Sequence, residues 1–80
     1  MGGPITLNGA MIYAFVVPKG DDLRVRVSAD DLERLGLLAG QQVKVSRPGR
    51  DAESRLLARV EETPPLVWLV FAPLSARRAG

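Results

Sequence analysis

Cysteine and histidine are both absent from this chain of 80 residues. Without cysteine there is no disulfide framework and no thiolate metal site. Without histidine the commonest metal ligand and the commonest general base are missing too. Ser28, Ser46, Ser54 and Ser75 therefore have no imidazole to activate them. The paired carboxylates, Asp21-Asp22, Asp30-Asp31 and Glu61-Glu62, are adjacent in sequence, and adjacent side chains diverge on strand and helix alike. No acid–base pair is preorganised, so the expectation is a protein that is not an enzyme and needs no cofactor and no metal. Long apolar runs are lacking as well: none approaches the roughly 20 residues of a membrane helix. The opening stretch MGGPITLNGA has no basic region followed by an apolar core, so it does not read as a secretory signal. The expected location is cytoplasmic.

What is present points to one small folded domain. The apolar share is 46%, too high for disorder. A chain of this length buries roughly 60–65% of its unfolded surface and gains from a partner. Residues 1–80 read as a single β-rich domain, with 75–80 as a frayed tail. Arginine outnumbers lysine nine to two within a net charge of +2. The charge is uneven. Lys44, Arg47, Arg50, Arg55 and Arg59 face only Asp51 and Glu53 between 44 and 59, whereas four basic and five acidic residues share 19–34.

Residues 10–17, AMIYAFVV, form a continuous apolar run of strand length, expected to be covered on both faces. LRVRV, 23–27, alternates, with Leu23, Val25 and Val27 inward and Arg24 and Arg26 outward. QVKVS, 42–46, repeats this with Val43 and Val45 in and Lys44 out. Residues 46–54 form a polar loop with a Pro-Gly turn signal. RLLARVEE, 55–62, puts Leu56, Ala58 and Val60 on one strand face, spoiled by Leu57, and a short helix is the alternative. After Thr63-Pro64-Pro65, LVWLVFA at 66–72 is a second doubly apolar strand.

Between the alternating strands the sequence predicts a helix over about 29–35. Ser28 can cap it and Asp31 can return the bond. Asp30, Asp31 and Glu33 suit the positive end of the helix dipole. Ala29, Leu32 and Leu35 share a face, Gly36 ends the helix in a left-handed conformation, and Leu37 folds back over it. Gly40 then permits the turn into the next strand.

The run KGDDLRVRVSADDLERLGLLAGQQVKV, residues 19–45, resembles the swapped-hairpin DNA-binding domains of the AbrB type. It is also similar to one half of a double-psi or related cradle-loop barrel. The resemblance implies a mainly β fold, a small barrel or swapped-hairpin domain with one short helix. A complete double-psi barrel would need a second helix–turn unit, which the chain lacks. Either two chains supply it or the fold is another small barrel. Val27-Ser28 and the following Asp30 and Asp31 stand where the AbrB type carries Ile-Pro and basic residues, and acid beside a phosphate backbone weakens affinity. Gln41 stands where both groups commonly carry aspartate.

The function the resemblance implies is that of a non-catalytic DNA-binding regulator acting as a homodimer on duplex DNA. Lys19, Arg24 and Arg26 would make the contacts, assisted by Lys44, Arg47 and Arg50. The bland alternative for each is a solvated strand face. Tyr13, Phe15, Trp68 and Phe71 could stack bases, but their strands have no interleaved basic residues, so core or dimer interface is the expectation. Val67, Trp68, Val70 and Phe71 are the interface candidates. The rival reading is a protein-binding or structural module that meets a protein partner through 66–72, by edge addition or face packing. A third is a detached barrel holding a cofactor-bearing enzyme subunit.

Overall fold

A computed structural model describes residues 2–74. Its elements run β1 (Gly2–Leu7), β2 (Ala10–Lys19), β3 (Asp22–Ser28), α1 (Ala29–Leu35), β4 (Gln42–Ser46), β5 (Glu53–Thr63) and β6 (Leu66–Pro73). The six strands close into one antiparallel barrel in the order β1-β2-β3-β6-β5-β4. Of the two expected architectures, the small barrel is the one formed. Each strand finds both neighbours within the chain. The tail expected at 75–80 lies outside the described residues.

β1 and β2 form a hairpin that the apolar pattern of 10–17 does not reveal. Asn8 and Gly9 both have positive φ, 51° and 88°, as a two-residue hairpin turn of type I′ requires. This turn also helps close the barrel. The β1–β4 ladder holds only two residue pairs, Thr6 with Ser46 and Leu7 with Val45. Next to it, the Asn8 amide donates to the Lys44 carbonyl at 2.9 Å, and the Lys44 amide donates to Asn8 Oδ1 at 2.8 Å.

The helix forms as its sequence predicts. Ser28 is extended, and its Oγ accepts from the Asp31 amide at 3.0 Å. The Asp31 carboxylate lies 3.5 Å from Arg34 rather than returning to Ser28. Gly36, at φ 66°, ends the helix and donates to the Leu32 carbonyl. Leu37 is buried, and Leu32 and Leu35 pack against the barrel core. Gln41 takes over the turn: its Oε1 accepts from the Leu38 amide at 3.0 Å. Gly40 then donates to the Leu57 carbonyl at 2.7 Å, tying the turn to β5.

The core is built by alternation. Leu23, Val25 and Val27 of β3 and Val43 and Val45 of β4 point inward. Three expectations need correction. β2 is not covered on both faces: Met11 is 64% and Tyr13 74% exposed. The ladder with β3 begins only at Phe15, opposite Arg26, while Val27 and Ser28 pair with β6 alone. Second, 55–62 is strand as expected, but Leu57, not Leu56 or Ala58, is the residue fully buried. A β-bulge at Ala58 shifts the register between Leu57 and Arg59, so Leu57 and Val60 both turn inward. Third, β6 is central, hydrogen-bonded to β3 and β5 along its length, so it offers no edge for strand addition. Val67 and Phe71 are core residues, 2% and 0% exposed, and Val70 is 2% exposed on the outer side. Among the interface candidates only Trp68 keeps an accessible face.

Candidate functional site

The outer faces of β2, β3, β6 and β5 carry a row of side chains set by register. Phe15 stands opposite Arg26, Arg26 opposite Trp68, and Trp68 opposite Glu61. The pairing brings cations and rings together. The Arg26 guanidinium lies 4.8 Å from the Phe15 ring centre and 5.8 Å from that of Trp68. Arg24, one outward position along β3, lies 4.8 Å over Trp68. Such contacts are worth about 0.5–1 kcal/mol each at accessible sites. They hold the arginines against the rings, and both Phe15 and Trp68 remain partly exposed. Alternation of basic and aromatic residues is absent along each strand, and it arises across strands once β2, β3 and β6 are neighbours. That is why the sequence pattern does not disclose Phe15 and Trp68 as partners of Arg26.

The six basic residues singled out from the sequence divide into two groups. Arg24 is neutralised: its Nη2 lies 2.8 Å from Glu61 Oε1, and its Nε is buried without a hydrogen-bond partner. Glu61 also accepts from Arg59 at 2.9 Å. The Arg59 hydrogen bond, helped by the charges of Arg59 and Arg24, holds the Glu61 carboxyl below the usual carboxylate range. Lys19, Arg26, Lys44, Arg47 and Arg50 have neither an ion pair nor a side-chain hydrogen bond among the described residues.

Arg47 and Arg50 belong to the β4–β5 loop at one mouth of the barrel. Two hollows meet there, sharing Pro18, Arg47 and Arg50. One of about 490 Å³ is also lined by Arg55, Asp21 and Asp22. The other, of about 420 Å³, is lined by Gly2, Gly3 and Pro4. Burial lowers the Arg47 pKa, and the charges of Arg50 and Arg55 add to the effect. A guanidinium still keeps its proton at neutral pH. Arg55 is occupied with structure, bonding Glu53, the Asp21 carbonyl at 3.0 Å and the Phe71 carbonyl at 3.4 Å.

Gly2 joins the two regions. It stands opposite Phe15 across β1–β2 and lines the hollow that holds Arg47 and Arg50. With no side chain at Gly2, nothing on β1 rises beside the Phe15 ring at that position. The result is a track from Trp68 through Arg26, Phe15 and Gly2 to Arg47 and Arg50. Strands lie about 4.8 Å apart, so the three steps from β6 to β1 span roughly 14 Å. Lys44, on the outer face of β4, lies by the Asn8 turn, and Lys19 ends β2.

Among the described residues no cluster of three acidic side chains could hold a metal ion, and no helix is long and apolar enough to cross a membrane. No family model, curated protein or solved structure matches the chain.

Proposed function

We propose that this protein is a non-catalytic nucleic-acid-binding module, and that it prefers single strands. The observation that carries the reading is the cross-strand row Phe15–Arg26–Trp68, which offers rings for base stacking with a cation between them. The unpaired Arg47 and Arg50 at the end of the track suit phosphates. The likeness of residues 19–45 to AbrB-type DNA-binding domains favours the same class of ligand. Single strands are favoured over duplex because Arg24 and Arg26 lie against rings instead of projecting toward a groove, and Glu61 cancels the charge of Arg24.

The test is a titration of the intrinsic fluorescence of Trp68, the chain's one tryptophan, with single-stranded and duplex oligonucleotides at two salt concentrations. Single strands should quench it, with an affinity that falls as salt rises. Each neutralised phosphate contributes about −0.7 to the log–log slope, so the five unpaired cations among the described residues account for a slope of about −3.5 at most. Absence of binding at low salt would sink the proposal. Duplex binding that leaves Trp68 unchanged would remove the assigned face.

A further inference from the structure

The first half of β2 has an open edge. Ala10–Ala14 pair with β1 on one side, and the ladder with β3 on the other side starts only at Phe15. Sheet edges are ordinarily guarded by charge, proline or a bulge. Here the run from Ala10 to Val17 contains no charged residue and no proline, and β1–β2 pairing over it is regular. Met11 and Tyr13, 64% and 74% exposed, sit on this edge.

The sequence of the edge is nearly palindromic in size: Ala10, Met11, Ile12, Tyr13, Ala14. We infer that this edge is the contact between two copies of this chain, paired antiparallel about a two-fold axis at Ile12. In that register Met11 of each copy faces Tyr13 of the other, and Ala10 faces Ala14. A two-fold contact needs one patch that complements itself, and this pattern supplies it. Two thioether–aromatic contacts result, with small residues at both ends and no like charges opposed. An unrelated partner would require no such symmetry. The inference goes beyond the nucleic-acid reading and does not rest on it, because Phe15, Arg26 and Trp68 lie outside the paired segment.

Light scattering on the full chain at micromolar concentration tests it, with far-ultraviolet circular dichroism as a check on folding. The natural chain should have the mass of a dimer. The double variant Met11→Lys, Tyr13→Lys opposes like charges at both positions and should be a monomer. Met11→Glu, Tyr13→Lys opposes unlike charges in this register and should restore the dimer. On the natural chain, amide exchange over Ala10–Ala14 should slow as concentration rises. A natural chain that stays monomeric overturns the inference. So does a lysine variant that remains dimeric, a glutamate–lysine variant that fails to recover, or amide exchange indifferent to concentration.

Discussion

Arg24 and Glu61 meet diagonally across β6, 2.8 Å apart, with the Arg24 guanidinium resting on the Trp68 ring between their strands. The pair positions the ring and withholds a positive charge from the outer face. Glu61→Gln removes the carboxylate while keeping an acceptor for Arg24. Tighter single-strand binding is the expected result, with a salt slope steeper by about 0.7, the share of one added phosphate contact. Titrations of both proteins at matched salt measure it, and an unchanged slope would show that Arg24 stays outside the contact.

The same carboxylate sets a pH dependence. Glu61 is held below the usual carboxylate range, first by its hydrogen bond from Arg59. A lowered folded-state pKa means that its contribution to stability is complete above the unfolded value of about 4.3 and is lost as pH falls through the folded one. Stability and binding should therefore be insensitive to Glu61 between about pH 5 and 8. Arg59→Ala should move the Glu61 titration upward, toward the usual range, as read from its carboxyl carbon shift by NMR.

Ring deletion separates stacking from folding. Phe15→Ala should weaken single-strand affinity by about 1–3 kcal/mol, roughly 5- to 150-fold. Phe15→Tyr keeps the ring and should keep most of the affinity. Phe15 is 38% exposed, so both variants should remain folded. If Phe15→Ala bound as well as the natural chain, the ring would have no part in recognition.

The bulge at Ala58 decides which leucine holds the barrel together. Leu57→Ala should cost about 2–5 kcal/mol in urea unfolding, as fully buried leucines do. Leu56→Ala, outside the core, should cost about 1 kcal/mol or less. Equal losses would mean that β5 lacks the register shift.

Asn8 combines a turn conformation with a hydrogen bond to β4. Asn8→Gly keeps access to positive φ and loses only the bond to the Lys44 amide, a cost of about 1 kcal/mol. Asn8→Ala adds the strain of a left-handed residue, a further 1–2 kcal/mol or so. Thermal or urea unfolding of the two variants should rank them in that order.

Much of the fold was legible in the residues. Leu23, Val25, Val27, Val43 and Val45 alternate as one-sided strands must, and Ser28, Gly36 and Leu37 fix the helix ends by local chemistry. The Asn8-Gly9 pair is also a hairpin signal, overshadowed by the apolar run that follows it. Elsewhere local patterns mislead. AMIYAFVV is apolar at every position, so its periodicity does not say that Met11 and Tyr13 lack a cover. The outcome depends on where the ladder between β2 and β3 begins. Leu57 reads as an intruder until the bulge at Ala58 absorbs one residue, and a bulge leaves no mark on composition. The candidate site was legible only as separate basic residues. Its defining feature is a register between Phe15, Arg26 and Trp68, which belong to three strands made neighbours by the pairing of β3 with β2 and β6.

The closure of the barrel is uneven around the circumference. Two residue pairs and the Asn8–Lys44 bonds seal β1 to β4, while β6 is laced to β5 from Leu66 to Pro73 and to β3 from Leu66 to Phe71. The molecule has a zip on one side and a weld on the other. Thermal opening will run from the zip, swinging the β1–β2 hairpin outward while β3, β6 and β5 stay joined. The Asn8 amide, bonded to the Lys44 carbonyl across this seam, will then exchange with solvent ahead of the amides on β6.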